Sequence, residues 1–472
     1  MKRTTRKFAA LTAVALTLAT TPGAHAQQAN RPNSVPPPVD MKFLKPFKPP
    51  AEDVDYKLKT NCITSGTGNR PIPNKPWGQM QLRLEEAHRF ATGAGVKLAV
   101  IDTGVNAEHP RLKGRVTGGG DYVETEKGGT FDCDGHGTEV AGVAAASKDE
   151  ATGFVGAAPE AEIISFRQTS NHYEYKDPAN KDNRDSAGKV RTLAEAIVAA
   201  VEAEADVINI SLTSCETPHE PSEQERELQA AIHWAVNEKN VVIVTAAGNL
   251  GSPQDGCSVQ NDNQNVDHVN VVASPPWYAD NVLSVASMSG AGTVSQFSVW
   301  GPWISVAAPG EEITTLDAAG QGLADAKIDA RGAASPIQGT SYASPYVAGV
   351  VALVRQRFPN LGARAVMERV KATAQHPGNP GGRDHKVGAG MVNPVAALTA
   401  ELPSEQGAQA SAPPQLMTNL DPLNPPDHTP LIVALSGTGA GVGLLLLTLF
   451  IVHTVNRNRA RRATAPVRRS VL

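Results

Sequence analysis

Four short stretches of this 472-residue chain hold side chains that could do chemistry together. Asp102-Thr103-Gly104 puts a carboxylate at the end of an apolar run. Asp134-Gly135-His136-Gly137-Thr138 sets an imidazole between glycines, where other groups can approach it. Ala246-Ala247-Gly248-Asn249 ends a second apolar run in an amide able to donate a hydrogen bond. Gly339-Thr340-Ser341-Tyr342-Ala343-Ser344-Pro345 is a small-residue turn feeding the apolar run Tyr346 to Phe358, which reads as a buried helix. A serine at a helix mouth lies where unpaired N–H groups and the positive end of the helix dipole favour developing negative charge. An acid, a base, a hydroxyl and an amide donor are the parts of nucleophilic acyl chemistry with an oxyanion hole. Each part alone has a plainer reading. Ser341 could be an ordinary N-cap, Asp-Thr-Gly half of an aspartic dyad, and Gly-His-Gly a metal loop. A second Asp-Thr/Ser-Gly is missing, and no further His or Cys stands at metal-ligand spacing.

The elements that would carry these residues alternate between strand and helix. Val96 to Ile101 is a short apolar strand ending at Asp102, and His136 opens a small-residue helix, Gly137 to Ala146. Strands at Ile163–Phe166, Asp206–Ser211 and Val241–Ala246 alternate with helices at Arg191–Glu204 and Glu223–Glu238. Val282–Ala286 and Ile304–Ala307 add two strands, and a closing helix covers Ala363 to Thr373. Such alternation calls for a parallel sheet covered on both faces, with its site at the carboxyl ends of the strands. The polar stretches Gln168–Lys189 and Gly251–Asn281 exceed ordinary connections and read as surface insertions or substrate-contacting loops.

The two ends read as membrane features. Residues 1–26 have a basic start (Lys2, Arg3, Arg6, Lys7), an apolar stretch from Phe8 to Thr20 and Ala24-His25-Ala26, the pattern of a cleaved signal peptide. Leu431 to Val455 contains no Asp, Glu, Lys or Arg and is long enough to cross a bilayer. The arginines that follow, from Arg457 to Arg469, place the C-terminus in the cytoplasm and the rest of the mature chain outside the membrane. With 43 Lys and Arg against 47 Asp and Glu, and no basic stripe interleaved with aromatics, nothing points to nucleic acid. Four cysteines in an exported chain predict two disulfides, with three pairings open. Residues 51–90, with Cys62 and a helix expected over Gln79 to Phe90, could be a removable propeptide or an arm laid over the main domain. Cys62 favours the arm, because a disulfide would tie it down.

Taken in order, these pieces resemble the subtilisin-like serine proteases over roughly residues 93–398. Asp102-Thr103-Gly104 with His109-Pro110 is similar to that family's aspartate motif. His136-Gly137-Thr138 with Val140-Ala141-Gly142 is similar to its histidine motif. Gly339-Thr340-Ser341 with Ala343, Pro345 and Val347-Ala348-Gly349 is similar to its serine motif. The resemblance implies an α/β three-layer fold with a mostly parallel central sheet and no cofactor; the family's calcium sites do not carry over, because no matching cluster of Asp and backbone turns stands in this sequence. It implies Ser341 as nucleophile, His136 as general base and Asp102 as the group orienting the imidazole. Asn249 and the Ser341 N–H would form the oxyanion hole. Ser211-Leu212-Thr213, with Ala247 and Gly248, would line the substrate, although Thr213 stands where the family has glycine. In that fold the strands ending at Leu212 and Gly248 are neighbours, so Cys215 is expected to pair with Cys257. That leaves Cys62 for Cys133, just before His136.

The whole layout is similar to the mycosins, membrane-anchored proteases of type VII secretion systems. It divides into a signal peptide (1–26), an N-terminal extension (27–92), a peptidase domain (93–398), a Pro-rich linker (399–430), a transmembrane helix (431–455) and a basic tail (456–472). This resemblance implies an endopeptidase acting on secreted protein substrates, anchored by one span, with the membrane components of the secretion complex as partners. The alternative expectation is a scaffold subunit of that complex with little proteolytic role.

Overall fold

The computed structural model of the chain describes residues 32–64, 72–176, 184–251, 256–262, 266–328, 333–405 and 429–463. The expected signal peptide, most of the linker and the end of the basic tail lie outside the described residues. The N-terminal segment contributes strand β1 (Lys57–Leu58) and two short helices, α1 (Trp77–Gln81) and α2 (Leu84–Ala87). Strands β2 (Lys97–Asp102) and β3 (Val116–Asp121), helix α3 (His136–Ala145) and strand β4 (Glu162–Arg167) follow. Next come β5 (Ser170–Lys176), β6 (Arg184–Ala187), α4 (Val190–Glu202), β7 (Val207–Ile210), β8 (Ser214–Glu216), α5 (Glu223–Asn237), β9 (Val242–Ala246) and β10 (Val272–Ser274). β11 (Leu283–Met288), β12 (Val306–Pro309), β13 (Thr315–Leu316), β14 (Leu323–Ala324), β15 (Ala326–Ile328) and β16 (Ala334–Pro336) lead to helices α6 (Thr340–Arg357), α7 (Ala363–Ala372) and α8 (Pro394–Thr399).

The organising unit is a seven-stranded sheet in the order β12-β11-β9-β7-β2-β4-β3, with every neighbouring pair parallel. Every residue of β7 and β9 is buried. Strands buried on both faces need helices on both, and their near-continuous apolar runs reflect it. Helix α6 is buried along almost its whole length, from Thr340 to Arg355. An all-round apolar helix of this kind belongs in the interior, and α6 packs against β7, β9, β11 and β12.

Among the differences from the sequence expectation, two concern the N-terminal segment and the edge of the main sheet. The single helix expected over Gln79 to Phe90 is two helices, broken at Arg83, which adopts φ 52°. Leu82 and Leu84 are both fully buried. On one straight helix, residues two apart point about 200° away from each other, so the break turns both leucines inward. Strand β3 carries no strand signal in the sequence, because Gly118-Gly119-Gly120 hides any apolar alternation. The Phe166 ring occupies the place a Cβ on Gly119 would take.

The N-terminal segment is stitched to the main body. Strand β1 pairs antiparallel with β5, so the polar stretch Gln168–Lys189 holds a β5–β6 hairpin that receives it. The buried Gln79 amide accepts from Val155 N (2.9 Å) and donates to Gly153 O (3.0 Å), and Trp77 Nε1 donates to Glu311 O (2.8 Å). The disulfides are Cys62–Cys133 and Cys215–Cys257. At the other end, residues 399–405, grouped with the linker in the sequence reading, belong to the packed unit, which extends through Glu405. The cause is Arg369: its nearly buried guanidinium needs a counter-charge, and Nε donates to Glu405 Oε1 (2.7 Å). Residues 406–472 form a separate unit, whose helix α9 (Thr429–Ala463) contains an apolar stretch, Thr438–Arg459, long enough to cross a bilayer.

Candidate active site

The carboxyl end of β2 delivers Asp102, and the first residue of α3 is His136. Asp102 is fully buried. Its Oδ1 accepts from Thr103 N (2.8 Å) and lies 2.7 Å from His136 Nδ1. With Nδ1–H donated to the carboxylate, the ring's lone pair sits on Nε2. Burial alone would push the His136 pKa down. The Asp102 charge and hydrogen bond more than offset it, leaving the imidazole above its usual value.

A second carboxylate, unrecognised in the sequence, holds this pair in place. Asp132 Oδ1 accepts from Thr103 Oγ1 (2.8 Å) and Gly135 N (2.7 Å). Its Oδ2 accepts from Thr138 N (2.8 Å) and Thr138 Oγ1 (2.7 Å). Asp132 thus satisfies orphan N–H groups at the start of α3 and ties that helix to the residue after Asp102. Thr103 Oγ1 in turn accepts from Gly137 N (2.9 Å). The approach is so close that a Cβ on Gly137 would lie 2.1 Å from the Gly104 carbonyl oxygen. Burial pushes the Asp132 carboxyl up to about 7, with Asp102 adding to the rise and the hydrogen bonds from Thr138 and Thr103 opposing it. The clue available in sequence was a carboxylate four residues before the histidine.

Ser341 is the second residue of α6. The preceding Gly339 has φ 152°, and a Cβ there would lie 3.0 Å from Ser341 Oγ and 3.6 Å from Asn249 Oδ1. That small space brings the serine hydroxyl and the asparagine amide together. Asn249 Oδ1 accepts from Thr340 N (2.8 Å) and Thr340 Oγ1 (3.2 Å), which sets the amide's orientation. Gly248 N donates to Thr340 Oγ1 (3.1 Å). No hydrogen bond joins Ser341 Oγ to His136 in this arrangement; such bonds often tighten only with substrate bound. The link between the two helix starts is Tyr342, whose ring centroid lies 5.4 Å from that of His136.

Of the residues expected to line a substrate, Ser211 turns its hydroxyl under α6, donating to the Ser341 carbonyl (2.8 Å) and meeting Ser344 Oγ (3.0 Å). Asn209, also missed in the sequence, completes this buried knot, donating to Ser211 Oγ (2.9 Å) and accepting from Ser344 Oγ (2.7 Å). Any contact of Ser211 with a substrate would therefore come from its backbone. Leu212 is half-buried, and Ala247 and Gly248 are buried at the end of β9. Thr213 donates to Ala246 O (2.9 Å), and its methyl, with both sulfurs of Cys215–Cys257, packs around Gly248. Away from this centre, Glu216, His219 and Glu225 bring potential metal-ligand atoms together. Glu225 is already the reciprocal cap of α5 with Ser222.

Comparison with known proteins agrees with this geometry. The subtilase family model matches residues 93–390. Mycosin-1 of Mycobacterium tuberculosis is 40% identical over 422 residues, covering 87% of this chain and 92% of the relative. The crystal structure of MycP1 from Mycobacterium smegmatis superposes with a TM-score of 0.70 at 37% identity, over 82% of this chain and 99% of that one. A chain of an intact ESX-5 inner membrane complex gives a TM-score of 0.71 at 36% identity, over 89% and 99%.

Proposed function

This chain belongs to the subtilase family of serine endopeptidases, and from that premise we propose that Asp102, His136 and Ser341 are its catalytic triad, cleaving peptide bonds of secreted proteins beside a type VII secretion complex. The observation that carries the reading is the 2.7 Å contact of His136 Nδ1 with the buried Asp102 carboxylate, supported by the 5.4 Å approach of the imidazole to the ring of Tyr342, the residue after Ser341. Ser341 Oγ attacks the scissile carbonyl as His136 Nε2 takes its proton. Asp102 holds the tautomer and stabilises the imidazolium, which then protonates the leaving amine. The Asn249 amide and the Ser341 N–H receive the oxyanion.

The proposed layout keeps the signal peptide at 1–26, the retained extension at 27–92, the peptidase domain from 93, and a single span near 431–455. The catalytic unit faces the extracytoplasmic side and the tail the cytoplasm. Identity to the mycosins and likeness to a chain of the ESX-5 inner membrane complex support membership of such a complex. A fluorophosphonate probe tests the enzyme. Labelling of wild type and not of Ser341→Ala supports a live nucleophile; a folded wild type that takes no label overturns it. The likeness to a subunit within a membrane complex also favours a second reading, a scaffold whose proteolysis is dispensable. Secretion by Ser341→Ala against a full deletion separates them: a point mutant as defective as the deletion excludes scaffolding alone.

A further inference from the structure

Beside His136 lies a chain of side chains that the triad does not use. Tyr342 sets its ring against the imidazole at 5.4 Å, tilted by 58°. Its hydroxyl donates a short hydrogen bond to Glu139 Oε2. Glu139 lies one turn along α3 from His136, nearly buried, and its backbone carbonyl accepts from Thr315 Oγ1 (2.5 Å). The same Glu139 oxygen is 3.4 Å from Lys327 Nζ, which also lies 5.5 Å from the centre of the Tyr342 ring. Lys327 is half exposed and sits on the β15–β16 hairpin, whose second strand runs into the Gly339-Thr340-Ser341 turn. A nearly buried carboxylate requires a partner, and here it has two, a phenol and an ammonium. Each comes from a different element, and both meet at Glu139 beside the Tyr342 ring, whose other neighbour is the imidazole of His136.

We propose that Tyr342, Glu139 and Lys327 are positioning residues for His136, so that the exposed β15–β16 hairpin sets the orientation and basicity of the general base. The proposal rests on the triad reading above. Tyr342 keeps the ring from swinging off Asp102, Glu139 keeps Tyr342 in place, and Lys327 keeps Glu139 compensated. Burial and the Glu139 charge push the Tyr342 hydroxyl well above its usual pKa, so it stays a donor. The charged and titratable groups around the imidazole are Asp102 from β2, Glu139 from its own helix, Lys327 from the hairpin and the Tyr342 hydroxyl from α6, with Asp132 behind the helix start. After Asp102, Lys327 lowers and Glu139 raises the proton affinity of His136.

The test is the rate of fluorophosphonate inactivation of the full-length protein in detergent, measured from about pH 5 to pH 9. The acid limb reports protonation of the base. Lys327→Met is expected to move its midpoint up, and Glu139→Gln to move it down, each by about half a pH unit. Lys327→Arg should restore the wild-type midpoint, and Tyr342→Phe should lower the plateau rate. Lys327 is on an exposed strand, so its variants keep the test valid should Glu139→Gln fold poorly. Superimposed acid limbs for wild type, Lys327→Met and Lys327→Arg would overturn the proposal while leaving the triad intact. Labelling that does not depend on Ser341 would instead overturn the triad reading, and this proposal with it.

Discussion

Asn249 Oδ1 accepts a 2.8 Å hydrogen bond from the backbone N–H of Thr340, the residue immediately before Ser341. The asparagine is thereby oriented by the same turn that presents the serine. A hydrogen-bond donor for an oxyanion is effective only when it is already aimed, because reorganisation during the reaction would cancel its benefit. Asn249→Leu should keep the fold and lower turnover of a peptide substrate by about 10²–10³-fold, mainly in kcat. Steady-state kinetics would check it; a loss confined to KM would remove Asn249 from the oxyanion hole.

The raised proton affinity of His136 has a direct pH signature. In the proposed mechanism the imidazole must be neutral to accept the serine proton. Its net upward shift, from Asp102 against burial, places the acid limb of kcat/KM above about pH 6.5. Asp102→Asn removes the charge that causes the rise. That limb should move to lower pH, and the rate should fall by about 10⁴-fold as the tautomer is lost. An unmoved limb in Asp102→Asn would show that another group sets it.

Asp132 predicts a slope in stability. Its folded-state pKa of about 7 lies above the unfolded value of a carboxyl. The folded chain therefore holds a proton that the unfolded chain releases. The associated stability is complete below the unfolded pKa and is lost as pH rises through about 7. Asp132→Asn cannot titrate, so its urea midpoint should vary less than that of wild type between about pH 4 and pH 8. Parallel curves for the two proteins would count against this assignment.

The two disulfides should fail differently. Each would contribute about 4 kcal/mol in the chain-entropy account, with sequence separations of 71 for Cys62–Cys133 and 42 for Cys215–Cys257. Both Cys215 and Cys257 sulfurs pack around Gly248, beside Asn249. The Cys215→Ala/Cys257→Ala double variant should lose both denaturation midpoint and turnover. Cys62→Ala/Cys133→Ser should free the N-terminal segment and make it accessible to limited trypsin digestion, with a smaller effect on turnover. Equal losses of turnover would show that the segment, too, shapes the site.

Much of this protein was legible in one dimension because its chemistry sits at points the chain must mark locally. Parallel strands buried on both faces need unbroken apolar runs, so β2, β7 and β9 announce themselves, and Asp102 and Asn249 follow where the runs stop. A serine at a helix start needs small neighbours, and Gly339-Thr340-Ser341 shows them. The span-length helix near the C-terminus is visible for a similar reason, since hydrocarbon admits few charges. What the sequence could not determine are pairings between residues far apart in the chain. Asp132 with Thr103, Asn209 with Ser344, and Glu139 with both Tyr342 and Lys327 all depend on which elements become neighbours. A polar residue carries no mark of the partner that will satisfy it. The break at Arg83 and the glycine-rich edge strand β3 were hidden likewise, because tertiary packing of Leu82, Leu84 and Phe166 overrides local pattern there. Local physics placed the proposed reacting groups at the ends of elements, and only the packed sheet decided what surrounds them.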